Sequence, residues 1–302
     1  MKKILLVKIG LISSLSVVIW SGCNSKIKLA DFKPKRMEKS RYIPTKEMLT
    51  IKNKKVAILK VNNSGVKLAK ELNLGEIISQ QLKSDLSLIG TPFIVTNSSK
   101  SNINKTEFKY IIDGKINDTT YEYKLLAPAP SITITGKTVM MPARHEYTAC
   151  SNGIIDIYKL PSLQIAKSIP FDKCKVESEC AKKRVRTNNS TLIKDSARVA
   201  IKSISVDLKN FFAQKGYILE QRSDGKKNIV KTTLGKDSDA KEGSEVKFYT
   251  KNESGSILVG NGQISNQITE DSSWVIVENL TDGVELKSGD FIKIKYKKGF
   301  FD

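Results

Sequence analysis

At Gly216 the apolar pattern of the chain changes period, and the change divides the chain into two modules. Upstream, Val56-Ala57-Ile58-Leu59-Lys60-Val61 is a short apolar run closed by Asn62-Asn63-Ser64-Gly65, the pattern of a buried strand followed by a turn. Leu74, Ile77, Ile78, Leu82 and Leu86 then recur at helical spacing up to Ile89, and Gly90 stops that helix. Phe93-Ile94-Val95 gives a second strand. Strand, helix and strand in that order predict a crossover unit with the helix packed on a sheet.

A polar loop over 97–109 leads to a third strand over 110–116 and a fourth over 119–125, alternating around Tyr121 and Tyr123. Ala127-Pro128-Ala129-Pro130 interrupts it, and residues 131–138 read as a protruding extended arm. Residues 154–160 and 164–171 form a hairpin around Pro161-Ser162-Leu163. The longest helical pattern covers 191–215, with Ile193, Ala197, Ile201, Ile204, Leu208 and Phe212 on one face and Gly216 as its stop. Beyond it lie six short β runs, over 217–220, 228–233, 245–249, 257–264, 274–277 and 291–296. The last alternates strictly, Ile292-Lys293-Ile294-Lys295-Tyr296, with one apolar face and one lysine face. The expected fold class is α+β: a sheet with packed helices over 55–215 and a small antiparallel barrel or sandwich over 216–302.

Four cysteines stand at 23, 150, 174 and 180. A hairpin turn centred near Ser162 sets residue 150 opposite residue 174 to within one register step, which makes Cys150–Cys174 a disulfide candidate. The rival is Cys174–Cys180, a small loop inside the charged segment 173–186, because a single register slip takes the strand pair out of bonding geometry. A third arrangement puts His145, the sole histidine, on a zinc ion with cysteines, but the closely paired cysteine spacing of such sites is absent and no metal is expected.

The chain begins Met1-Lys2-Lys3, continues with a mostly apolar run to Trp20, and reaches Ser21-Gly22 before Cys23. This is the pattern of a secretory signal over 1–22, with an apolar core too short for the roughly 20 residues of a spanning helix. Ser-Gly-Cys at that border resembles the lipobox of bacterial lipoproteins, although Trp20 stands where Leu is usual. The resemblance implies a diacylglycerol on the Cys23 thiol, a fatty acyl chain such as palmitate on its amine, and a mature chain starting at Cys23. Asn24 after the lipidated residue fits export to the outer membrane, where the protein would face the periplasm. Residues 23–54, dense in charge and without apolar period, read as a basic lipidated tether.

The formal charge is +20, and loss of Lys2, Lys3 and Lys8 with the signal would lower it by three. Such a balance suits nucleic acid, anionic lipid or an acidic polymer as partner, but a lysine excess reads more simply as a solvated surface. Only seven of the 51 basic residues are Arg, however, whereas readers of phosphate and bases favour its bidentate fork, so no nucleic-acid partner is expected. No phosphate-cradling glycine loop precedes a helix, and His145 has no neighbouring nucleophile motif. Asp237, Asp239 and Glu242 cluster in a Gly-rich turn, where carboxylates are most often solvated. No cofactor or catalytic residue is expected, and the chain is read as a non-enzyme.

The order of features over 55–215, with the Asn62-Asn63 strand end, Pro92-Phe93-Ile94-Val95, Tyr110-Ile111-Ile112-Asp113-Gly114 and the late helix, resembles the α/β domain of the curli-secretion lipoproteins (CsgG-like). It is similar also to the amino-terminal domain of TolB and to lipoprotein activators of peptidoglycan synthases, and so implies an anticodon-binding-type sheet. The tail resembles the carboxy-terminal domain of FlgT in Leu234-Gly235, Glu242-Gly243-Ser244-Glu245-Val246, Val259-Gly260 and Lys287-Ser288-Gly289-Asp290, while Asp239-Ala240 stands where that family has Gly. Curli channels place two amphipathic hairpins per subunit in the membrane. Residues 131–139 resemble one arm of the first, but the charged 173–186 segment does not supply the second, which argues against a pore. These resemblances imply a scaffold or assembly factor serving a secretion, flagellar or cell-wall machine. The alternatives are a subunit of a homo-oligomeric ring and an activator of a peptidoglycan synthase.

Overall fold

The computed structural model describes residues 25–40, 44, 55–183, 185, 189–253 and 255–298. Cys23 and the signal lie outside them. The described chain is α+β, with one five-stranded sheet covered by helices and one closed six-stranded barrel.

In chain order the elements are β1 (Lys33–Lys35), β2 (Lys55–Leu59), α1 (Lys67–Glu71), α2 (Leu74–Leu86), β3 (Phe93–Thr96), β4 (Phe108–Leu126), β5 (Ala129–Ile132), β6 (Thr138–Met141), β7 (Arg144–Lys159) and β8 (Gln164–Cys180). They continue with α3 (Ser190–Lys202), α4 (Ser205–Phe212), β9 (Lys215–Ser223), β10 (Asn228–Thr232), β11 (Glu245–Asn252), β12 (Gly255–Ile268), β13 (Ser273–Leu280) and β14 (Phe291–Ile294).

The sheet runs β3-β2-β4-β7-β8, with β2 parallel to both neighbours and the rest antiparallel. The crossover β2-α2-β3 is therefore present. Its tight seat comes from Gly75, where a Cβ would lie 2.1 Å from the Val61 carbonyl oxygen, and from Ser79, whose hydroxyl accepts from Val61 N at 3.0 Å. Leu74, Ile78, Leu82 and Leu86 of α2 join Leu192, Ala197 and Ile201 of α3 and Leu208 and Phe212 of α4 over Val56, Ile58, Ile112, Ile155 and Ile157. All the packed helices thus cover one face of the sheet. The other face carries a smaller cluster around Ala57, Leu59, Ile111 and Leu160.

The continuous helix read over 191–215 is two helices. Asn189 caps α3 by accepting from Leu192 N at 3.0 Å, and the break falls at Ser203–Ile204, where the Ser203 hydroxyl donates to the Ala200 carbonyl at 2.7 Å. Both segments keep their apolar residues on one side, so the kink leaves the pattern intact. Gly216 lies inside β9 rather than ending a helix.

The tail is a barrel rather than a sandwich. Its order β9-β10-β13-β12-β11-β14 closes through β14 back onto β9. Val230, Val246, Phe248, Ile264, Val275 and Ile292 fill it. All six β runs expected after Gly216 are present.

The tether reading needs correction over 25–40. Here β1 pairs antiparallel with β9, setting Lys33 opposite Ser223 and Lys35 opposite Gln221, while Ile27 and Phe32 are buried against Ile229, Trp274 and Ile276. Ser40 donates its N–H to Ser288, and Lys287 pairs with Glu38 at 2.7 Å. Two isolated apolar side chains in a charged stretch suffice to strap it to the barrel. The rest of that reading, beyond residue 44, falls outside the described residues.

The two modules touch through α4 and the residues just after it. The Asn210 side chain donates to the Tyr296 carbonyl at 3.0 Å and accepts from Tyr296 N at 2.9 Å, and Ser238 donates to Gln214 at 2.8 Å.

Candidate functional site: an apolar finger on a pinned ribbon

Strands β4, β7 and β8 run well past the part of the sheet that pairs with β2. The runs expected over 110–116 and 119–125 are one strand with an irregularity between Ile116 and Asp118. The charged segment from 173, read as an insertion, continues as β8 to Cys180, since Lys175 pairs with Asp195 of α3 at 2.6 Å and Asn189 donates to Glu177 at 3.1 Å. Its alternating charges find partners on the helix side and water on the other.

Along β7 burial alternates at every residue from His145 to Ile157. Tyr147 is fully buried, stacked on Tyr121 with centroids 6.3 Å apart. Cys150 stands directly opposite Cys174, and the two are disulfide-bonded with Cα atoms 4.0 Å apart; Cys180 is free and exposed. The Cys174–Cys180 alternative is not formed. The bond therefore pins β7 to β8 within the stretch that α3 still covers, since Asp195 and Asn189 reach Lys175 and Glu177 just beyond it.

His145 sits near the ribbon's far end. Its Nε2 faces the carbonyls of Ala181 at 3.1 Å and Lys183 at 2.9 Å, which fixes the proton there, so that the Tyr123 hydroxyl donates to Nδ1 at 3.1 Å. Both ring nitrogens are occupied in closing the ribbon end. Among the described residues no group of three His, Cys, Asp or Glu side chains is placed to share a metal ion.

Beyond the ribbon, β5 and β6 form a separate two-stranded finger. Its turn closes through Thr133 N donating to Lys137 O at 2.9 Å, with Gly136 at φ 78°, a left-handed value suited to glycine. Every residue of both strands is exposed. Ile134 is wholly exposed, Ile132 75% and Met140 65%, with Leu125, Val139 and Met141 also bare. A hollow of about 330 Å³ at the root is lined by Leu126, Ala129, Pro130, Met141 and Arg144. From Tyr123 to His145 the chain has no carboxylate, only Lys124, Lys137 and Arg144. A two-stranded hairpin without a core is marginal in water, and a contiguous apolar surface of this kind is a contact surface. The expected arm over 131–138 marked this place; its exposure on both faces was not readable from alternation.

The carboxylates singled out in the 237–242 turn do not converge on one point. Asp239 pairs with Lys241 at 2.6 Å, while Glu242 accepts from Ser25 at 2.8 Å. Asp239 has φ 62°, a left-handed conformation that Asp adopts more readily than most side chains. Burial first, and then the Asp239 charge, push the Tyr296 phenol well above its ordinary range.

No protein-family model matches the chain, and no curated protein matches it. Among solved structures, a neuraminyllactose-binding hemagglutinin homolog from Helicobacter pylori aligns over 60% of this chain and 91% of its own at 11% identity and TM-score 0.35. The PelC dodecamer from Paraburkholderia phytofirmans aligns over 58% of this chain and 96% of its own, at 9% identity and TM-score 0.28. Rare lipoprotein B from Shewanella oneidensis aligns over 52% and 95%, at 12% identity and TM-score 0.27. Such values establish neither a family nor a function for this chain.

Proposed function

We propose that this protein is a non-catalytic lipoprotein, anchored in the outer membrane through Cys23 and facing the periplasm, that presents its finger to a protein partner in an envelope machine. The observation that carries this reading is the finger itself: an apolar hairpin bare on both faces, held clear of both cores by a disulfide-pinned ribbon. Such a surface is costly to leave in water and contributes nothing to the fold, so its value lies in a contact. The sheet and barrel are consistent with CsgG-like or TolB-type and FlgT-type modules, respectively.

The strap changes the geometry of anchoring. Ser25, which already packs on the barrel, is two residues from Cys23, a separation of at most about 7.6 Å between Cα atoms. A lipid on Cys23 would thus hold the barrel against the bilayer, not at the end of a 30-residue tether. Anchoring raises the effective concentration of the finger for partners in the same compartment.

The test is a pull-down from envelope extract with the wild-type protein and with I132S/I134S/M140S, each washed at low and high salt. A partner that survives high salt on the wild type and is lost from the triple variant is expected. Retention by the triple variant would sink the reading. A second reading, a subunit of a homo-oligomeric ring, draws on β8, whose outer edge has no strand partner among the described residues. Light scattering on the delipidated protein separates the two, with a discrete multi-subunit ring for this reading and a monomer for the scaffold.

A further inference from the structure

Among the described residues, β8 forms one border of the five-stranded sheet and pairs only with β7, so its outer edge of 17 residues has no strand beside it. Such an edge is a template for another strand. Successive residues of a strand send their N–H and C=O to opposite sides. The Ala181 N–H goes to the Ala143 carbonyl at 3.1 Å, on the β7 side. Cys174 faces Cys150 with Cα atoms 4.0 Å apart, the spacing of a non-hydrogen-bonded pair, so its own N–H and C=O turn away from β7. Asp172, Val176, Ser178 and Cys180 fall at the same alternation and present theirs to the open side. Pro170 belongs to this set too, where its missing N–H costs the β7 ladder nothing.

The side chains along this edge follow an order. Ile169 and Phe171 lie in the core under the helices, and alternation continues that face through Lys173, Lys175, Glu177 and Glu179. Val176 lies on the other face, 51% exposed. Let a second β8 run antiparallel with Val176 opposite its own copy. Lys173 then meets Glu179 and Lys175 meets Glu177, each twice, because a two-fold axis repeats every contact. A slip of one residue would set inward-facing backbone groups against outward-facing ones. A slip of two sets Lys175 against Lys175 in one direction and Glu177 against Glu177 in the other. Backbone and charge therefore admit the same register.

We propose that the outer edge of β8 binds the same edge of a second copy, joining two chains in a two-fold dimer centred on Val176. Asp172, Cys174, Val176, Ser178 and Cys180 exchange the ladder hydrogen bonds, and the lysines and glutamates face each other at the closer, non-hydrogen-bonded positions. Lys175 is already held by Asp195 at 2.6 Å and Glu177 by Asn189 at 3.1 Å, which orders both along the edge. An ammonium has three donors and a carboxylate two oxygens, so each serves a second partner as well. Helix α3 lies against both β7 and β8, which sets its axis inboard of the edge. With strands about 5 Å apart, the two copies of α3 come to about 10 Å, an ordinary helix-packing distance. A strand of other sequence would meet two positive and two negative groups out of order, and is thereby disfavoured. Cys180 stands opposite Arg144 at the foot of the finger, so antiparallel pairing carries the two fingers to opposite ends of the joined ribbons. The dimer leaves both fingers open, does not depend on what they contact, and occupies the edge that a ring would need.

The test is sedimentation velocity on the delipidated protein from about 1 to about 100 µM, a range over which mass action carries a dissociating pair from one subunit to two. The wild type should be single when dilute and paired when concentrated. K173E/K175E and E177K/E179K each set like charges across the axis, and their association should weaken by at least about tenfold. Mixed in equal amounts, these two variants regain every opposite-charge contact and should pair as the wild type does, a rescue that a merely damaged fold would not give. V176P removes an N–H on the open side while keeping the β7 ladder, and should stay single while melting within about 4 °C of the wild type. A wild type that is single at every concentration, or that assembles beyond two subunits, would overturn the proposal. So would a charge variant that pairs like the wild type, a mixture of folded variants that stays apart, or pairing by V176P, which decides the matter even where a charge variant has lost stability.

Discussion

The barrel and the ribbon with its finger are built from the same unit, an antiparallel strand pair whose side chains alternate between two faces, but they end differently. The barrel joins β14 back to β9, and its inward residues, Phe248 and Val246 among them, lose all contact with water. The ribbon is closed on one side by α3 and pinned by Cys150–Cys174, then runs out into β5 and β6, where neither face is covered. Closure turns alternation into a core; without it the same alternation leaves apolar groups in solvent. Stability and contact are thereby assigned to different stretches of one chain.

Five substitutions would break or sharpen that contrast. Phe248→Ala removes a fully buried ring from the barrel and should cost about 3–5 kcal/mol, read from the urea midpoint, whereas Ile134→Ala at the finger should stay within about 0.5 kcal/mol. Equal effects would mean that the finger belongs to the fold. Cys150→Ala, which opens a bond spanning 24 residues, should cost about 2–4 kcal/mol, with amide exchange accelerating in β8 before the barrel is affected. Asn210→Ala removes both hydrogen bonds to Tyr296 and should cost about 1–2 kcal/mol, and separate melting of barrel and sheet should become visible by calorimetry. Asp195→Asn should have the smallest effect. The Lys175 hydrogen bond, working against partial burial and helped by Arg198, holds the Asp195 carboxyl below its ordinary pKa. A depressed acid stabilises the fold above its unfolded pKa of about 4 and loses that contribution as pH falls through the folded value. The wild type should therefore exceed the variant by less than about 1 kcal/mol at pH 7, and the gap should close in acid below pH 4.

Much of this was legible in sequence because the signals were local. Six barrel strands announced themselves by short apolar runs ended by Gly, Asp, Ser and Asn, while the turn near Ser162 brought Cys150 opposite Cys174 only to within one register step and left Cys174–Cys180 as a rival that the strand register decides. What escaped was information held across distant strands. The strap has no period of its own; Ile27 and Phe32 matter only because Ile229, Trp274 and Ile276 wait for them roughly 200 to 250 residues later. The segment of β8 from Lys173 reads as solvated charge until Asp195 and Asn189 supply its partners. Lys293 was visibly on a lysine face, but its alignment with Lys215 and Lys247 is a property of barrel register, which no single strand encodes.

The antiparallel seam between β1 and β9 also has a mechanical side. Any pull on the chain ahead of Ser25 is delivered first to Ile27, Phe32 and that three-residue seam, and so to the barrel wall, before it can reach the helices. The barrel takes the load before the sheet and its long ribbon do.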